Sequence, residues 1–390
     1  MKAAKLTTLL LFLFAFSACD KDLPPDDIIP LPNPGINYPR ILGSTIDSVM
    51  DADEIPGLAV ALIRNGEIDW LSNYGMANIE ENRRVDNNTR FMLNGTADVI
   101  TAMAVLQAIE QGLFGLDDDI NDYLDEPIVH PTFPNAIITV RNLLAHTSGI
   151  KDDPSYLNVA FVAGMDSDTD LETFLMDYLI KGRPRYFFTN FSSERPGKVY
   201  SYSRIGLALA AMLIRKTSTV EFDLYCKTHL FAQLGLSNVS WFLADLPPSE
   251  LAIPYQKNGN QLEAQPLYNY SIYPSWGLRI SAEHLARFWQ GMINQGVYGD
   301  QRLIEADTRE FMERVTFPLA DEEQSIGWRY DSLDQRLVLG NMGNDIGYSS
   351  MMSWDVNSEN GVILLSNGDD KGNALRFLTT QIMDAADSRP

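Results

Sequence analysis

The chain has 390 residues, of which 45% are apolar and 10% aromatic, enough to build a sizeable core. Its formal charge of −22, with no basic patch to neutralise phosphates, argues against nucleic acid as a partner. Residues 1–18 read as a secretion signal, with Lys2 and Lys5 at the positive start and an apolar run over residues 6–16. That run is too short for a spanning helix. Ser17 and Ala18 directly before Cys19 resemble a bacterial lipobox, so Cys19 is expected to be the lipidated first residue of the mature chain. With Cys226 as the only other cysteine, no intrachain disulfide is expected. Residues 19–40 carry six prolines amid acidic side chains and read as an extended stalk reaching ~60 Å from the membrane.

The folded part is expected over residues 41–387. Ile41, Leu42, Ile46, Val49 and Met50 have helical spacing. A β-branched and apolar run over residues 58–63 predicts a strand, and Asn65-Gly66 predicts a tight hairpin returning through Ile68 and Trp70. A short strand over residues 91–93 leads into a central helix. There Val99, Ala102, Met103, Leu106, Ile109 and Leu113 mark one buried face, and Gly112 marks the end. Asp166, Asp168 and Asp170 have the alternation of a calcium loop, but Leu171 stands where such a loop needs glycine. A helix start before residues 171–180 is expected instead. Ser148-x-x-Lys151 runs into Asp152-Asp153-Pro154, so its two side chains do not share a helix face. A buried strand over residues 362–365 and a closing helix over residues 374–383 end the chain. No metal or cofactor set is apparent.

The motifs carry a resemblance. Phe91 through Thr101-Ala102 is similar to the F-x-x-G-S-x-S-K-x-x-T-A run of the serine β-lactamase and penicillin-binding-protein superfamily, in its class C β-lactamase, D-Ala-D-Ala carboxypeptidase and esterase branch. Residues 137–150, IITVRNLLAHTSGI, resemble that branch's I-T-I-R-H-L-L-T-H-T-S-G-L, in which the His146 position is architectural. Pro196-Gly197 followed by Tyr200 and Tyr202 resembles its P-G…Y-S-N motif, and Gly340-Asn341-Met342-Gly343 its G-H-x-G or K-T-G region. The resemblance implies an α/β fold in which an antiparallel sheet is flanked by helices, with an inserted mostly helical region over about residues 115–260.

It also implies a serine nucleophile, a lysine, a tyrosine and a basic side chain, of which this chain keeps little. Gly95 stands at the serine position, Asp98 at the lysine, Tyr200 at the tyrosine, Tyr202 at the asparagine and Asn341 at the cationic or imidazole position, with Gly343 retained. Acyl transfer needs the nucleophile and its proton-handling partners as a unit. The expectation is therefore a non-hydrolysing envelope lipoprotein that binds a ligand or acts as a scaffold. The alternative is a serine hydrolase, esterase or peptidase rebuilt on Thr96. The pocket residues are expected to be Asp98, Tyr200, Tyr202, Trp276 and Asn341, an acidic and aromatic lining. Such a lining suits a sugar face, a cation or a peptide amide, as in a cell-wall fragment. A cleft plugged by those aromatics is equally open. Asp98 is expected to be the only anion there, favoured by the helix dipole.

Overall fold

In the computed structural model, residues 37–154, 159–259, 261–370 and 373–388 are described. The secretion signal, Cys19 and nearly all of the stalk lie outside them. The first helix, Tyr38–Asp53, begins within the segment read as stalk. The reason is local: the Asn37 side chain accepts from the Arg40 backbone N–H, and Pro39 sits in the first turn, where a proline is tolerated. Tyr38 is fully buried, stacks on Trp70 at 5.2 Å and donates to Asp69 at 2.7 Å.

A seven-stranded antiparallel sheet is the frame. Its order is Arg329–Leu333, Arg336–Asp345, Tyr348–Asp355, Gly361–Ser366, Gly57–Arg64, Glu67–Asn78, Arg83–Arg84. Asn65 and Gly66 turn the hairpin with φ of +52° and +74°, the left-handed pair that a two-residue connection requires. The central strand Gly57–Arg64 is apolar throughout because both of its faces are covered. Leu58, Val60 and Leu62 pack toward the terminal helices Tyr38–Asp53 and Ala374–Asp387, while Ala59, Ala61 and Ile63 enter the larger core.

The central helix runs Asp98–Glu110 after a 3-10 turn over Asn94–Ala97. Its spacing predicts one buried face, but every residue from Asp98 to Ala108 is buried. The helices Arg204–Ser218 and Tyr273–Trp276 cover its other sides, so the small residues Ala102, Ala104 and Ala108 serve close packing all round. Asp170 caps the helix Leu171–Leu179 by accepting from the Thr173 N–H at 3.1 Å. Asp166 accepts from the backbone of Leu243 and Ala244 and from Asn269, so two members of the acidic triplet tie the chain to itself. His284 is buried in the core on Ala282–Ile293.

Candidate functional site

The start of the central helix meets the strand Arg336–Asp345, and between them opens a cavity of about 420 Å³. Asp98, Tyr200, Tyr202 and Asn341 converge on it with Gly95, as expected from sequence. Trp276 does not line it. That ring lies behind Tyr202, donating Nε1–H to the phenol oxygen at 3.4 Å, with the Arg204 guanidinium stacked 3.1 Å from its centre. Gly343 is also outside the lining. A side chain there would collide with the Leu93 carbonyl, so its role is to let the strand approach the helix start.

A Cβ built on Gly95 would sit 3.0 Å from the Met342 carbonyl oxygen and 3.5 Å from the Tyr202 hydroxyl. The backbone has therefore closed to the limit of contact around a residue without a side chain. Thr96, the other candidate nucleophile, is turned into the core. It is fully buried, its hydroxyl is 2.6 Å from Ser350 Oγ, and Ser350 in turn donates to the Leu93 carbonyl.

The motif puts the tyrosine of the proton chemistry at Tyr200, whereas the geometry puts that hydroxyl at Tyr202. Tyr202 donates to Asp98 Oδ2 at 2.8 Å and faces Gly95, while Tyr200 lies under the Arg329 guanidinium at 5.2 Å. Residues two apart in extended backbone point the same way, so both reach the cavity. Tyr202 is the nearer to the central helix because Ser203, next in sequence, caps the adjoining helix Arg204–Ser218.

Asp98 also departs from expectation. It is buried, accepting only from Tyr202 and from Ser275 at 3.2 Å, and desolvation pushes its carboxyl up to about 7. Burial outweighs the helix dipole, which contributes only ~0.3–1 kcal/mol. Nor is Asp98 the only carboxylate at the cavity. Asp331 lines it too, paired with Arg376.

Sequence reasoning missed His146, Gln324, Gly327 and Arg329 as lining residues. His146 does have the structural role its motif implies: Nδ1 accepts from the Ser203 N–H at 3.2 Å, which leaves the ring proton on Nε2. It also faces the cavity, its ring 4.7 Å from that of Tyr202, and desolvation pushes it down to about 4, so it is neutral. Arg329 arrives on the edge strand and is held by Asp321 and Glu323, while Asn341 donates to the Gly327 carbonyl at 2.7 Å. No motif marks the segment that carries Gln324 to Arg329; only its pairing in the sheet brings it to the site.

The chain has relatives among known proteins. Protein flp of Staphylococcus aureus (strain MRSA252) is 22% identical over 328 residues, which cover 83% of this chain and 62% of that protein. The chain thus spans less than two thirds of that relative's length. A beta-lactamase of Yersinia enterocolitica is 26% identical over 78% of this chain and 73% of its own. Among solved structures, a class C beta-lactamase superposes with a TM-score of 0.71 at 19% identity, covering 91% of this chain and 99% of that one. The octameric penicillin-binding protein homologue from Pyrococcus abyssi gives 0.70 at 20% identity, over 90% and 78%. These structural likenesses show the fold. The family profile described as Beta-lactamase matches residues 42–387, and the chain belongs to that family.

Proposed function

We propose that this protein is a lipid-anchored component of a bacterial cell envelope whose beta-lactamase-like cleft binds a ligand without hydrolysing it. The observation that carries the reading is Gly95, where neither a nucleophile nor comfortable room for one exists beside the Met342 carbonyl. Asp98 cannot supply the cationic amine that the family chemistry uses, and a buried phenol such as Tyr202, raised well above its ordinary value, is a poor base at neutral pH. The cavity nevertheless remains open, which favours ligand binding over a plugged scaffold. A cell-wall fragment, in peptide or glycan form, is the proposed ligand class.

The purified chain is expected to form no acyl-enzyme with penicillins, chromogenic cephalosporins or fluorophosphonates, read by intact-protein mass spectrometry. Stoichiometric labelling at any residue overturns the reading, and a labelled Thr96 establishes a rebuilt hydrolase. Cys19→Ser is expected to abolish metabolic acyl labelling and membrane retention while leaving the thermal unfolding of the domain unchanged, since Cys19 precedes the described fold by many residues. Acyl labelling of the mutant at the wild-type level refutes the anchor.

A further inference from the structure

Asp98 differs from the other carboxylates around the cavity in what partners it. Arg204 is matched by Asp152, whose carboxylate accepts from the Arg204 backbone N–H at 2.9 Å and lies 3.9 Å from Nε. Arg329 is matched by Asp321 and Glu323 at 3.2 and 2.7 Å, and Arg376 by Asp331. Asp98 has two hydroxyl donors, Tyr202 and Ser275, and no ion pair of its own. Beside it, the cavity wall at Gly95 presents the Met342 carbonyl and the Tyr202 oxygen, both able to accept. A carboxylate, a carbonyl and a phenol oxygen grouped at one end of a cavity form an acceptor set with no cation in direct contact, Arg204 acting on Asp98 only through its field from its place against Asp152.

We propose that this end of the cleft receives a primary ammonium group of the ligand, held on the Asp98 carboxylate next to Gly95 and the Met342 carbonyl. The proposal rests on the ligand-binding reading above and deepens it by naming the head group. An ammonium brings three N–H donors and a positive charge in direct contact, whereas a carboxylate brings only acceptors to a wall that already accepts. A neutral hydroxyl fits the space but leaves the charge unanswered. Val338, Met342 and Met351 supply an apolar wall for the rest of the molecule.

The charge gives the site a pH signature. Because burial holds the Asp98 carboxyl at about 7, an ammonium must displace its proton at lower pH, so affinity rises with pH and levels above that value. The charged or titratable groups facing Asp98 are Tyr202, Tyr200, Arg204, Asp152 and His146. Burial raises both tyrosines above 10 and His146 is already neutral, so Asp152, itself raised by burial, is the competing source among these neighbours. Asp98→Asn separates the two.

The test uses the full chain in detergent, labelled at its methionine methyls, because Met342 and Met351 line the cavity. The probes are n-butylamine, 1-butanol and butyrate, which share a tail and differ in head group. Butylamine is expected to shift the Met342 signal saturably and to bind about tenfold or more tighter than butanol, the scale of one charge-assisted bond. Its affinity is expected to climb about fivefold between pH 6 and pH 7, to gain about a further twofold by pH 8, and to change little above that. Asp98→Asn is expected to remove both the preference and the pH dependence. The ammonium assignment falls if butyrate binds as tightly as butylamine, if amine affinity is flat with pH, or if the preference survives in Asp98→Asn. In those cases the shifted methionines still uphold a ligand cleft. If no probe moves either methionine, the cleft is closed and both readings fall.

Discussion

Asp98→Lys is expected to be the most damaging single change in the cleft, costing about 3–5 kcal/mol at pH 7, the cost of an uncompensated buried charge. The substitution restores the residue type that the family chemistry employs, yet it places an ammonium where the surroundings have been rebuilt for an acid. Tyr202 loses the acceptor for its hydroxyl and Ser275 loses its own. The new charge also faces Arg204, which stabilises the Asp98 carboxylate through its field and repels a cation by the same field. Gly95→Ser adds a Cβ 3.0 Å from the Met342 carbonyl, so the strand must give way before a hydroxyl can be positioned. The double variant is therefore expected to be less stable than wild type in urea unfolding and still unlabelled by penicillin. A double variant that unfolds at the wild-type midpoint and is acylated would show that the site is only two residues away from a working hydrolase.

Asp98→Asn is expected to do the opposite and stabilise the protein at alkaline pH. Well below pH 3.8 the carboxyl is protonated in the folded and unfolded chains alike, and it has no effect on the pH dependence. As pH rises, the unfolded chain ionises from an ordinary value near 3.8, while the folded chain holds its proton until about 7. The unfolded state thus loses its proton first, and wild-type stability falls across that window by on the order of 4 kcal/mol before levelling off. Asparagine has no proton to lose, and its amide can still meet Tyr202 and Ser275. The stability gap between mutant and wild type is expected to widen from pH 4 to pH 7 and stay constant above it. Paired urea titrations at pH 5 and pH 8.5 measure the difference. A mutant less stable than wild type at pH 8.5 would mean that the helix dipole, not desolvation, governs the carboxylate.

That sign could not be obtained from the chain alone. Read as sequence, Asp98 is an acidic residue in the first turn of a helix, which favours its ionised form by ~0.3–1 kcal/mol. The desolvation that reverses this preference comes from burial beneath the helices Arg204–Ser218 and Tyr273–Trp276, and the hydrogen bonds from Tyr202, 104 positions away, and Ser275, 177 positions away, offset only part of it. Nothing within a turn or two of Asp98 signals their arrival. His146 shows the same division. Its motif marks a structural histidine, and its bond to the Ser203 N–H fits that reading, but its exposure to the cavity depends on where Tyr200 and Tyr202 lie.

Much else was legible because its causes are local. The Asn65-Gly66 hairpin follows from two residues that tolerate positive φ, and the cap at Asp170 follows from an acceptor before a helix start. The absent serine and lysine at Gly95 and Asp98 are facts of composition at motif positions, and family membership follows from the run of motifs. Sequence by itself therefore determined the lineage, the fold class and the absence of serine and lysine at the two motif positions. Tertiary structure alone decided which tyrosine meets Asp98, that Arg329 joins the lining and that the Asp98 carboxyl holds its proton to near neutrality. The physical reason is range. Steric and hydrogen-bond preferences of the backbone act over a few residues, whereas desolvation and charge pairing sum over whatever the fold brings within a few ångströms.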